Sequence, residues 1–129
     1  MKTAHLIVGV IVVVAFLLTG QFMDFHQPKM EELDGGTRMM FRSRHIYILL
    51  AGLVNLGIGA YFTYHKEGWR RTLQLIGSCL VIIAPFLLLG AFFYEPKLGG
   101  LDRPFTLPAI LALSIGALCH LFSGMRRGE

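Results

Sequence analysis

Five histidines, six methionines and a short run of arginines carry most of the chemistry that this chain of 129 residues offers. The histidines sort by depth. His5, His65 and His120 fall towards one end of the apolar runs, and His26 and His45 towards the other. A b-type haem needs two imidazoles at matching depth on neighbouring helices, one on each side of the iron. His5, His65 and His120 are the candidate set for it. None of the five lies at the middle of an apolar run, so histidines that simply sit at a lipid edge are the competing reading.

Four of the methionines, Met23, Met30, Met39 and Met40, share one polar stretch with His26 and His45. Thioether and imidazole together favour Cu(I). Met23, His26, Met30 and His45 are therefore a candidate copper set, weakened by the absence of a thiolate. Methionine as a flexible apolar residue at an interface is the alternative. Arg38, Arg42 and His45 stand at i, i+4 and i+7 and share one helix face. Guanidinium forks there would hold an anion or an acidic partner. The same cations would equally well snorkel to lipid phosphates.

Catalytic patterns are missing. The chain has no P-loop, no G-x-S-x-G, no H-E-x-x-H and no Cys-x-x-Cys. Arg38, Arg42 and Arg44 next to Ser43 do not amount to a catalytic set, so the reading leans away from an enzyme. Cys79 and Cys119 lie within apolar runs and read as small buried hydrophobes.

The elements that must position these residues are long apolar helices. Hydrophobic residues make up 54% of the chain and charged ones 16%, which is too apolar for a soluble domain of this size. Four runs, 5–22, 45–64, 72–94 and 105–122, have no charged residue in their interiors. The expected architecture is all-α: one domain, 1–129, of four transmembrane helices in an antiparallel bundle. A polar loop, 23–44, would carry a short interfacial helix over 28–33, with Pro28 at its first position and Glu31 and Glu32 in its first turn. Gly35 and Gly36 would then break the chain, and Thr37 would cap a helix starting at Arg38. The first run lacks a small-residue cleavage site and reads as a retained span.

Two stripes are expected to pack the bundle. Ala51, Asn55 and Gly59 line one face of the second helix, and Ala112 and Gly116 one face of the fourth. These two stripes should meet, with Asn55, the most polar mid-span residue, bonding across the contact. Pro85 should kink the third helix. Trp69, Tyr61 and Tyr64 would form an interfacial belt.

Four spans put both termini on one side. The cations divide evenly: Lys2, Lys66, Arg70, Arg71, Arg126 and Arg127 on the terminal side, and Lys29, Arg38, Arg42, Arg44, Lys97 and Arg103 on the other. The shortage of acids on the terminal side favours cytoplasmic termini in a bacterial inner membrane. A net charge of +4 suits anionic headgroups and makes no case for nucleic acid. The expected role is a non-catalytic accessory subunit that docks on a larger membrane complex or on itself. The alternatives are a haem b protein or a copper protein built on the residues above.

Overall fold

A backbone that leaves water must close its own hydrogen bonds, and the helix does so within one segment. The computed structural model describes residues 1–66, 68–100 and 102–125, and it is all-helical. α1 is Lys2–Phe25, α2 Gly35–Tyr61, α3 Gly68–Leu98 and α4 Thr106–Gly124. All four are long and apolar enough to cross a membrane. A bilayer core about 30 Å thick takes about 20 residues of helix. The 19 residues of α4 just suffice, while the 31 of α3 leave polar ends outside.

α1 packs along α2 and α4 along α3, and the two hairpins join where α2 meets α3. The core is small and apolar, aliphatic side chains with two phenylalanines: Val12, Phe41, Ile48, Ala51, Val81, Ala84, Leu88, Phe92, Ala109 and Leu113. α1 keeps an exposed outer face of Ile7, Val10, Ile11, Val14, Leu17 and Leu18, the composition of a lipid-facing surface.

The small-residue stripes are used, but not against each other. A Cβ on Gly59 would lie 2.8 Å from Leu6 of α1, and one on Gly116 would lie 2.8 Å from the Gly77 carbonyl of α3. The α2 stripe therefore admits α1, and the α4 stripe admits α3. Ala51 is fully buried and Ala112 half-buried. The expected pairing of the second helix with the fourth gives way to two hairpin contacts, because each glycine meets its nearest neighbour in sequence order.

Helix ends also differ from expectation. Asp34, not Thr37, caps α2: its Oδ2 accepts the Thr37 N–H at 2.9 Å and its Oδ1 the Thr37 hydroxyl at 2.6 Å. Gly35 and Gly36 therefore belong to the first helical turn instead of breaking the chain. Those bonds hold the Asp34 carboxyl below its usual range. The interfacial helix shrinks to one 3-10 turn, Met30–Glu32, after a cis Gln27–Pro28 bond. Gly99 and Gly100, both at φ +70°, end α3 in a conformation that residues with a Cβ avoid. α3 runs on through Pro85 and Pro96. Arg126 and Arg127, counted above among the terminal-side cations, lie outside the described residues.

Candidate functional site: a buried polar chain and its pocket

Pro85 has no N–H, so the Val81 carbonyl one turn back loses its helical donor. Asn55 of α2 fills the vacancy: its Nδ2 donates to Val81 O at 3.0 Å and to Ala51 O at 2.9 Å. Both amide protons are spent on carbonyls, which leaves Oδ1 as an acceptor of fixed orientation. It lies 2.9 Å from Nδ1 of His5. His5 must therefore carry its proton on Nδ1, and in the neutral ring Nε2 is an acceptor.

Nε2 of His5 is 2.9 Å from Ser78 Oγ, and that oxygen is 3.2 Å from Nε2 of His120. The directions follow in sequence. Ser78 donates to His5, and His120 donates to Ser78. One residue from each helix thus joins a single chain: His120 (α4), Ser78 (α3), His5 (α1) and Asn55 (α2). His5, Ser78 and Asn55 are completely buried, whereas His120 is half-buried. A polar chain in an apolar bundle is costly unless every member is bonded. This one is bonded throughout.

His120 opens the chain to a pocket of about 270 Å³ at the terminal end, lined among others by Tyr61, Phe62, Thr63, His65 and Gln74. Gln74 holds the segment after α2 across this pocket. Its Nε2 donates to Thr63 O at 2.7 Å, and its Oε1 accepts the His65 N–H at 3.3 Å. Phe62 packs at 6.0 Å from His5 and 5.8 Å from His120, centroid to centroid. The Met1 amine donates to the Tyr64 hydroxyl at 2.9 Å and ties the start of α1 to the same end.

The three histidines grouped by depth, His5, His65 and His120, thus do gather at one end. The His5 and His120 rings are 5.7 Å apart, and His65 shares the pocket with His120. Ser78, which links two of them, carries no sequence signal. A serine in an apolar run ordinarily bonds its own helix.

At the opposite end lies a buried ion pair that sequence reasoning passed over. Arg44, placed by its sequence among the loop-side cations, is 1% exposed and pairs with the fully buried Glu95. Nε of Arg44 donates to Glu95 Oε2 at 2.7 Å. Nη2 is equally near that oxygen but off the line of a hydrogen bond, so it contributes charge and not direction. Nη1 donates to Ser43 Oγ at 2.9 Å. Glu95 Oε1 accepts the N–H groups of Phe105 and Thr106 at 2.9 and 2.8 Å. α4 has no side-chain cap of its own. A carboxylate from α3 serves instead, satisfying amides that would otherwise be orphaned at the start of the helix.

The remaining candidates are scattered along the loop end. His45 gives its Nδ1 to Thr19 Oγ1 at 2.9 Å and stacks on Phe16 at 4.2 Å. Arg42 is exposed and lines a pocket with Met23, Asp24, Lys29, Met30 and Glu31. His45 lines the adjoining one with Met23 and Asp24, and Arg38 lines neither. His26 bonds the Pro28 carbonyl at 2.7 Å and lines a third, aromatic pocket with Phe22 and Phe41. None of these pockets gathers Met23, His26, Met30 and His45 together. Among the described residues, no three His, Cys, Asp or Glu side chains converge as a metal site of those ligands requires. Comparison with protein families, with curated proteins and with solved structures returned no match.

Proposed function

We propose that this chain is a membrane protein that binds a small hydrogen-bonding molecule at its terminal end, in the pocket onto which His65 and His120 open. In this reading it sits in an inner membrane with its termini in the cytoplasm. The observation that carries it is the buried chain from Asn55 to His120. Intramembrane polar groups are expensive and by default mark a working site, and this chain ends at a cavity. The ring of His65 and Nδ1 of His120 remain available to a ligand there. A volume of about 270 Å³ falls just below the range of about 300–1,000 Å³ usual for drug-sized ligands, which favours a small molecule over a tetrapyrrole.

Haem is the second reading, kept because the three histidines grouped for it share this end. The accessory-subunit reading has less behind it, since the stripes that suggested docking are filled within the bundle. It rests on Arg38 and Arg42.

Gly57 lines the pocket, and a Cβ there would meet nothing within 4 Å. Gly57→Phe should therefore be tolerated by the packing and crowd the mouth of the pocket. A thermal-shift screen in mild detergent, using small carboxylic acids, amines and alcohols, tests the reading. At least one class should raise the Tm of the wild type and leave Gly57→Phe unmoved. If no class shifts the wild type, or both proteins respond alike, the pocket is not a binding site. A Soret band in protein from haem-replete cells would turn the reading to haem.

A further inference from the structure

The geometry points to a proton relay: His120, Ser78 and His5 form a three-member wire that carries one proton from the pocket to the buried ring of His5. The distances are 3.2 Å from His120 Nε2 to Ser78 Oγ and 2.9 Å from Ser78 Oγ to His5 Nε2. Both are within hydrogen-bond reach.

The transfer balances atom by atom. In the resting state His120 carries its proton on Nε2, Ser78 donates to His5, and His5 carries its proton on Nδ1. A proton arrives at His120 Nδ1 from a weak acid in the pocket, leaving that acid's conjugate base. The Nε2 proton of His120 moves to Ser78 Oγ, and the Ser78 hydroxyl proton moves to His5 Nε2. The result is a neutral His120 protonated on Nδ1, an unchanged serine hydroxyl now donating to His120, and an imidazolium at His5. Every hydrogen bond of the chain survives with its direction reversed between His120 and His5.

Asn55 closes the wire. Its Oδ1 accepts the His5 Nδ1 proton in both states, and its amide protons are held by Ala51 and Val81 carbonyls. An amide so fixed passes nothing on, so the proton leaves by the way it came. The relay is a reversible store, with His120 as its door. It suits a ligand that must lose a proton in the pocket and recover it on release. That use rests on the pocket reading above; the wire itself does not.

Among the described residues, the charged and titratable groups at this end include the Met1 amine, bonded to the Tyr64 hydroxyl, Lys2, Tyr61, His65, Lys66, Arg71, and Arg70, which donates to the Met125 carbonyl. A pH titration of ¹⁵N-histidine-labelled protein in micelles tests the relay without any ligand, with His65→Gln used for assignment. At high pH, His5 should show the Nδ1–H form and His120 the Nε2–H form. The first proton taken up by the pair should convert His5 to imidazolium and switch His120 to the Nδ1–H form.

His120→Gln keeps an N–H donor for Ser78 but cannot relay. In that variant the His5 conversion should disappear from the same pH range. Ser78→Ala should uncouple the two rings so that His120 keeps its tautomer. If Ser78→Ala does not fold, His120→Gln decides alone. The relay is refuted if His120 becomes imidazolium while His5 stays neutral in the wild type. It is equally refuted if His5 converts in His120→Gln as it does in the wild type. A relay confirmed beside an unresponsive thermal-shift screen would overturn the pocket reading only.

Discussion

Replacing Glu95 with alanine leaves Arg44 charged, buried and without its counter-ion, and strips two amides at the start of α4 of their acceptor. Breaking a buried pair from one side costs about 3–5 kcal/mol. Loss of a helix cap adds about 1 kcal/mol. The sum for Glu95→Ala is on the order of 5 kcal/mol, a large part of the about 5–15 kcal/mol that holds a domain folded. Arg44→Met is milder, because Glu95 keeps its three donors at Phe105 and Thr106. The double variant should lose little beyond the cap, about 1 kcal/mol, so it should fall short of the sum of the single losses by about 4 kcal/mol or more. The assay is SDS titration in mixed micelles, followed by the fluorescence of Trp69, the only tryptophan. Trp69 opens α3 while Glu95 lies near its far end, about 40 Å away at 1.5 Å per residue. The signal therefore reports loss of the whole bundle and not a local change. A Glu95→Ala loss below about 1 kcal/mol, the scale of an exposed pair, would mean that Arg44 escapes to the interface, and strict additivity would refute the coupling.

Gly116→Ala would set a Cβ 2.6 Å from Val81 and should cost about 1–3 kcal/mol by overpacking. Gly90→Ala meets nothing within 4 Å and should gain about 0.5–1 kcal/mol; opposite signs in the same SDS assay are the expected result. Pro85→Ala should return a helical donor to Val81 and compete with Asn55, seen as greater exchange of the Asn55 side-chain amide. The Asp34 carboxyl lies below its usual range when folded, so its cap should be fully present above the ordinary carboxylate range. It should be lost as pH falls through its folded value, and amide exchange at Thr37 reads this directly. Arg38→Lys with Arg42→Lys should behave as wild type if those residues anchor the chain to lipid; weaker capture of a partner by that pair alone would mark a fork-dependent docking face.

Hydropathy is enough to find the four long apolar helices, because runs of that length and composition have few other uses. It stops short at their polar ends. Arg44 and Glu95 read as loop residues since nothing in the sequence joins two charges 51 positions apart. The convergence of His5, His65 and His120 is legible from depth alone, as an antiparallel bundle fixes which ends meet. The role of Asn55 is legible only by halves. Its polarity marks a contact, but its partner depends on knowing that Pro85 frees a carbonyl facing it. Ser78 leaves no trace beforehand, because a buried hydroxyl can as well bond its own helix. His45 and His26 are the converse case: sequence puts them near the methionines, and each ring turns instead to its own neighbours on α1 or the loop.

The gap in the α3 ladder also fixes how α2 and α3 can slide. Within a regular helix every interior carbonyl is already occupied, so an asparagine from a neighbour finds no preferred height. Proline at 85 leaves one opening, at Val81, and Asn55 fits it. A shift of one turn, about 5.4 Å, would bring Asn55 against a carbonyl held by its own backbone and leave Val81 bare. The two helices therefore carry a vertical latch at a single height, and because His5 takes its orientation from the same asparagine, α1 is set to that height as well.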